Sequence, residues 1–381
     1  MMILKNVELY NPKFKGKKDI LIGGGKILMI SNKIDPISGV EQLDLKDKIM
    51  TPGFIDQHIH ITGAGGKRGF SSITPEIKVT ELIKLGITTV VGLLGTDGTT
   101  KNIKSLYSKV KSLEMEGISA YMFTGYYGIN PLYLMNSLEE DMVFNDKILG
   151  CKIAISDIRS SYPSDIELLR LLKAVRVGGM ISNKKGILHV HLGNLKTKMD
   201  QLFRIIKDYD FPIKHISPTH VGRTFDLFTQ AIEFAKMGGI IDISTGVSKY
   251  TSPHKSVIYA LEKGVSIDNM TFSSDGNAGL DKIDEKGNYL GVKKAPISET
   301  FKEVINLIDS GISIENSIKL VTENPAKNLG LKNKGKIELG YDADICIFNK
   351  NFKLTEIFCK GKLMMNNSEL LIKNRDANSI D

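Results

Sequence analysis

Cysteine is scarce in this chain: the 381 residues include three, Cys151, Cys346 and Cys359. Spaced so widely, they form no disulfide framework, and their number suits a reducing cytosol. Long apolar runs are also missing, so no segment is expected to cross a bilayer. The opening MMILKNVELYNPK has no apolar core followed by a small-residue cleavage site. The expectation is a soluble, cytoplasmic protein with no membrane partner. A basic block is missing too. Lys and Arg (51) exceed Asp and Glu (43), giving a net charge of +8, but the lysines are dispersed and no aromatics interleave with them. That pattern describes a solvated surface and argues against nucleic acid as a partner.

What is present is the composition of a globular enzyme, 41% hydrophobic and 25% charged. The length fits one large α/β barrel with a small accessory domain. Residues 1–50 read as short strands and turns (LKNVELYNP, DILIGGGKILMIS), and residues 331–381 open with the same texture (GKIELGYDADICIFNK, LTEIFCKGKLMM). Neither end can bury a face alone, so the two are expected to pair into one small β-sandwich. Between them, in residues 51–330, apolar strands alternate with amphipathic helices. Strands are expected near 53–58, 88–94, 118–124, 151–156, 187–192, 214–219, 240–244 and 270–274. The helical stretches include PEIKVTELIKL, SDIELLRLLKAV, FDLFTQAIEFAKM and SVIYALEKG. Eight such units predict a closed (β/α)8, TIM-like barrel, with chemistry on the loops after the strands' C-terminal ends.

The residues at those ends point to metal. The first strand, in GFIDQHIH, ends with His58 and His60, whose alternate spacing aims both imidazoles to one side. The second runs into Gly95-Thr96-Asp97, the third reaches Tyr126 and Tyr127, and the fourth carries Lys152 and continues to Asp157 and Arg159. The fifth ends in His191, the sixth in His220 with Arg223 just beyond, and the eighth in Asp275. A lone buried histidine is usually a hydrogen-bonded core residue. Four at the strand ends of one barrel instead suit divalent metal. His189 shares a face with His191 but lies deeper and reads as core; His215 and His254 receive no role. In CKIAIS, alternation sets Lys152, Ala154 and Ser156 on one face, which is the interior if Cys151, Ile153 and Ile155 pack under helices. An interior lysine beside two cations would lose its proton and could take up CO2, giving a carbamate that bridges both metals.

With those residues in place, the chain resembles the metal-dependent amidohydrolases and, within them, the bacterial isoaspartyl (β-aspartyl) dipeptidases. TPGFIDQHIH marks the superfamily, while VVGLLGTD, AISDIRS and PTHVGR carry the narrower likeness, with VHLGN, FSSDGN and GYDAD in matching order. The resemblance implies two divalent ions, expected to be zinc. His58, His60 and Asp275 hold one, His191 and His220 the other, and carbamylated Lys152 bridges them. It implies that Asp275 is the general base and then acid, that Tyr127 stabilises the oxygen of the reacting carbonyl, and that Arg159 and Arg223 clamp a substrate carboxylate. Thr96, Gly65 and Lys67 are further candidate substrate contacts. The implied activity is cleavage of the isopeptide bond of β-aspartyl dipeptides by a symmetric homo-oligomer. Alternatives are hydrolysis of a cyclic amide, as in hydantoinases and dihydroorotases, and a metal-free barrel used as a scaffold.

Two positions depart from the family. Its glutamate for the substrate's α-amino group aligns with Lys67, and no acid lies between Ile61 and Ile73. Its serine shortly after the metal aspartate aligns with Gly279. If Lys67 points inward, an N-acylated or otherwise non-ammonium relative of a β-aspartyl peptide becomes the expected substrate.

Overall fold

The computed structural model describes residues 1–247 and 249–372. Eight parallel strands pair in sequence order: Phe54–Ile59, Ile87–Gly92, Ser119–Gly125, Ile148–Ile155, Ile187–Leu192, Ile216–Thr219, Ile241–Ser244 and Met270–Ser273. The end of the eighth returns to the first through a parallel bridge between Ile59 and Gly276. There the His60 N–H donates to the Gly276 carbonyl at 3.0 Å. The result is the (β/α)8 barrel.

The helices around it begin where the sequence supplies caps. Asn102 accepts from the Ser105 N–H ahead of Ile103–Met115, and Thr224 caps Phe225–Lys236. Ser164 and Glu167 form a reciprocal capping box at the start of Asp165–Ile181. Two segments depart from simple periodicity for the same physical reason: their backbone groups are claimed by the barrel. Only Val79–Ile83 of the stretch 75–85 is helical. The preceding residues run extended, with Thr74 N–H on the Ala64 carbonyl and Ile77 N–H on the Ile61 carbonyl. The closing stretch splits into Ile314–Lys319 and Glu323–Leu329. Between them the Leu320 and Val321 carbonyls accept from Phe272 and Ile55 of the eighth and first strands, at 2.9 and 2.8 Å.

The chain ends meet as expected. One nine-stranded sheet contains Met2–Asn11, Lys13–Gly23 and Lys26–Ser31 from the N-terminal side, and Ile345–Phe348, Leu354–Cys359 and Lys362–Asn366 from the C-terminal side. Ile49–Pro52 joins the halves, parallel to Met2–Asn11 and antiparallel to Ile345–Phe348. Leu4, Val7, Ile20, Ile22, Ile345, Ile347 and Phe358 give this sheet an apolar core separate from that of the barrel. A hairpin, Gly279–Ile283 with Tyr289–Lys294, follows the eighth strand and was not foreseen from periodicity. It leans on the loop after the first strand: Arg68 pairs with Asp281 at 3.2 Å and lies 5.0 Å from the Tyr289 ring centroid. Among the described residues no helix is long and apolar enough to cross a membrane.

Candidate active site

An irregularity in the first strand shapes the site. Asp56 pairs with Val90 and Ile59 with Gly92, so the first strand holds one extra residue between those pairs. The bulge turns both Gln57 and His58 inward, where strict alternation would send one of them out. Gln57 Nε2 donates to Asp242 (2.8 Å) and Thr271 (2.7 Å), while His58 Nδ1 meets His189 Nε2 at 2.9 Å. The Nε2 atoms of His58 and His60 both lie 3.2 Å from Asp275 Oδ1.

His191 and His220 arrive from the fifth and sixth strands with ring centroids 4.6 Å apart, and His220 stands 4.8 Å from His58. His58, His220 and Asp275 offer ligand atoms that all lie within 4.8 Å of one another. His220 (φ 64°) and Asp275 (φ 48°) hold left-handed backbone, a strain that concentrates where side chains are aimed at function. Cys151, Ile153 and Ile155 pack in the barrel's outer core, which leaves Lys152 in the interior.

Burial sets the protonation of these groups. It pulls His58 down to about 3 and His191 and His220 well below the usual imidazole value. Each ring is therefore neutral and keeps a lone pair. Burial also lowers Lys152 to about 7. The same cause raises Tyr127, so its hydroxyl stays protonated. Three polar atoms at the centre, His60 Nδ1, Lys152 Nζ and Asp275 Oδ1, are buried without a hydrogen bond. An unpaired buried group costs about 1–3 kcal/mol, so three on neighbouring residues call for compensating partners. Neutral imidazoles with a carboxylate are a donor set for a divalent transition metal, and these residues fit one.

The rim carries the substrate-facing groups. The Tyr127 hydroxyl sits 2.7 Å from His191 Nδ1, and His191 Nε2 is 3.0 Å from Asp157 Oδ2. Arg159 donates to Asp157 through Nε (2.9 Å) and Nη2 (2.6 Å). These two bonds, with that of His191, outweigh burial and hold the Asp157 carboxyl well below its ordinary range. A cleft of about 120 Å³ is lined by His60, Gly65, Lys67, Thr96, Tyr127, Arg159, Arg223 and Asp275. It adjoins a broader pocket of about 420 Å³ bounded by Phe70 and Ile73. Lys67 is exposed at the mouth that the two share.

Against known proteins, the chain is similar to the solved β-aspartyl dipeptidase of Fervidobacterium islandicum AW-1, whose structure contains a β-Asp-Leu dipeptide. The two are 38% identical with a TM-score of 0.91, covering 98% of this chain and 100% of that one. The chain belongs to the metal-dependent amidohydrolase superfamily. Residues 181–364 match the Amidohydrolase family model. A D-hydantoinase, 16% identical with a TM-score of 0.69 over 98% of this amidohydrolase and 97% of that chain, shares the fold. An adenine deaminase of Clostridium perfringens is 25% identical over 376 residues. The present chain aligns over 96% of its own length but spans only 58% of that deaminase.

Within the amidohydrolase barrel, all six side chains expected as ligands lie at one mouth. Both ring nitrogens of His191 face protein partners, the Tyr127 hydroxyl and Asp157. His215 and His254 lie outside the cleft with partners of their own, the Gly186 carbonyl (2.8 Å) and Glu303 (2.7 Å). Gly279 has a steric reason: a Cβ there would come within 2.8 Å of Gly65 Cα. Sequence reasoning gave no role to Asp157, and it left His189 as inert core although the ring meets His58. Their spacing, two residues before Arg159 and before His191, was a usable signal. It also missed Ser244, 2.7 Å from His220 Nδ1, and Asp242, which accepts from Thr219 and Ser273 beneath the site. Both lie in GGIIDIST, a segment that shares in the family likeness but to whose residues sequence reasoning gave no role.

Proposed function

We propose that this protein hydrolyses an open-chain amide whose leaving portion carries a carboxylate, with the isopeptide bond of β-aspartyl dipeptides as the leading substrate. The observation behind this reading is a set of buried, unpaired ligand atoms beneath a rim that holds two guanidinium groups. His58, His60 and Asp275 would hold one divalent ion and His191 and His220 a second. Lys152, with its amine already depressed, would carry the bridging carbamate. When bound, the metals supply Lewis-acid polarisation of the carbonyl and an acidified water as nucleophile. Asp275 accepts the proton released from that water on a carboxylate oxygen and returns it to the departing amine. Tyr127 donates its hydroxyl proton as a hydrogen bond to the carbonyl oxygen while negative charge develops there. Arg159 and Arg223 grip the distal carboxylate, and Thr96 and Gly65 bound the space beside the scissile bond.

A second reading concerns the substrate's amino side and follows from Lys67 at the cleft mouth. A cation there disfavours a free α-ammonium and favours an N-acylated β-aspartyl compound. Metal analysis combined with assays on β-Asp-Leu, N-acetyl-β-Asp-Leu and a hydantoin tests these readings. Turnover of the hydantoin alone would overturn the open-chain assignment. Lys67→Glu is expected to raise kcat/KM for the free dipeptide relative to the acetylated one by about tenfold, the scale of one nearby charge pair. Identical ratios in wild type and variant would return Lys67 to solvent.

A further inference from the structure

Asp157 is 5% exposed although charged, and the reaction scheme above gives it no part. Its carboxylate is nonetheless the most heavily engaged group on the rim. Oδ1 accepts from the Arg159 backbone N–H and from Arg159 Nε, both at 2.9 Å. Oδ2 accepts from Arg159 Nη2 at 2.6 Å and, on its other side, faces His191 Nε2 at 3.0 Å. One anion is therefore shared between a candidate metal ligand and a candidate substrate clamp.

Two consequences follow from donor arithmetic. A proton on His191 Nε2, held by Asp157, leaves Nδ1 as the nitrogen with the lone pair, and Nδ1 is the atom the Tyr127 hydroxyl approaches at 2.7 Å. Arg159 has five N–H donors and spends two on Asp157 along its Nε edge. The Nη1–Nη2 edge remains for a second carboxylate, with Nη1 3.5 Å from Thr96 Oγ1 and the side chain about one-third exposed to the cleft. Arg223 differs: its Nε is buried without a hydrogen bond, and its guanidinium has no ion-pair partner among the described residues. Only Arg159 is oriented by an acid that also touches a histidine of the centre.

We propose that Asp157 is a positioning residue that couples recognition of the substrate carboxylate at Arg159 to the grip of His191 on metal. This rests on the roles proposed above for those two residues. A carboxylate on the free edge of Arg159 draws the guanidinium away from Asp157. The freed acceptor then binds the Nε2–H more tightly and raises the basicity of Nδ1. By linkage, a carboxylate ligand tightens metal binding and metal tightens carboxylate binding by the same factor, and the tighter His191–metal contact is expected to show as slower release. A merely structural Asp157 would neutralise Arg159 and leave the two events independent.

The test uses zinc-loaded protein and needs no turnover in its first arm. Zinc release to a chelator is timed with L-leucine, with L-leucinamide and with neither. In wild type, leucine is expected to slow release about fivefold, a typical coupling, and leucinamide to leave it unchanged. In Asp157→Asn, release should be about tenfold faster, as for loss of a partner behind a ligand, and leucine should have no effect. Arg159→Met, which frees Asp157 as a bound carboxylate would, should abolish the leucine effect and release zinc more slowly than ligand-free wild type. If Asp157→Asn does not fold, Asp157→Glu and Arg159→Met carry the arm.

In the second arm, Asp157→Asn should raise KM for β-Asp-Leu about tenfold and leave KM for its C-terminal carboxamide near wild type. A leucine effect that persists in Asp157→Asn, or equal losses on both peptides with normal zinc retention, would overturn the proposal. Failure of wild type to cleave either peptide would count against the functional reading, while the zinc arm would still decide the role of Asp157.

Discussion

Lys334 and Lys152 are both buried, 6% and 1% exposed, in opposite surroundings. Lys334 lies where the C-terminal segment returns to the barrel. It bonds Asp344, Asp342 (2.7 Å) and Ser119 (2.6 Å), and Asp342 also pairs with Lys26 at 2.5 Å. Burial disfavours its charge, but the two aspartates outweigh burial and raise its pKa above the ordinary lysine value. Lys152 has no hydrogen bond, and burial dominates and lowers it to about 7. One lysine fastens the terminal sheet to the barrel; the other is held unpaired at a cost to stability. A buried cation with its full complement of anions is structural, and one without them is chemical.

Removing the acid beside the unpaired lysine should have the largest effect. Asp275→Asn is expected to keep the fold, judged by circular dichroism, and to lose about 10³-fold or more in kcat, the upper range for proton transfer by a positioned side chain. Substantial residual turnover would strip Asp275 of its proton role. Lys152→Ala is expected to weaken metal binding at least about tenfold and to respond to short carboxylic acids that replace the bridging anion. Undiminished metal content would leave Lys152 as an unpaired lysine without a function.

Lys334→Met tests the other side of the contrast. It takes the buried cation from Asp344, leaves Asp342 to Lys26 alone, and should cost about 3 kcal/mol in urea-unfolding stability, with activity per folded molecule unchanged. A stability loss as large in metal-free Lys152→Met would break the comparison, because that lysine stabilises nothing.

The smallest effect is the sign of the pH dependence in metal-free, CO2-free protein. Between about 7 and the ordinary lysine value, the unfolded state holds the Lys152 proton and the native state does not. Native stability relative to Lys152→Met should therefore rise with pH over that window. Lys334 behaves oppositely, because its folded pKa is the higher one. Its stabilisation is full below the ordinary lysine value and declines as pH climbs through the folded value. Parallel slopes for the two variants would show that their environments are alike.

Much of the site was legible because barrel chemistry sits at strand ends, and strand ends can be read from apolar runs followed by polar residues. His191, His220 and Asp275 each follow such a run, and the alternation of CKIAIS placed Lys152 inside. His58 was placed correctly for an incomplete reason. Alternation relates it to His60 but does not explain why Gln57 also faces inward; the bulge between Asp56 and Ile59 does. The split helix near Leu320 left little trace, since distant backbone groups impose it, whereas the hairpin 279–294 closes locally on an Asp284 turn that apolar periodicity does not mark.

From the sequence alone came the eight-fold alternation, the terminal strands and the inventory of ligand-type side chains, because periodicity and residue chemistry are local properties. Tertiary structure alone decided which of these groups remain unpaired. Asp157 became a bridge between His191 and Arg159 only once the loop after the fourth strand met the end of the fifth. Lys334 and Lys152 diverged only when one bonded two carboxylates and the other bonded none. The reason is that charge state and hydrogen-bond satisfaction depend on neighbours brought together by folding, which no local pattern encodes.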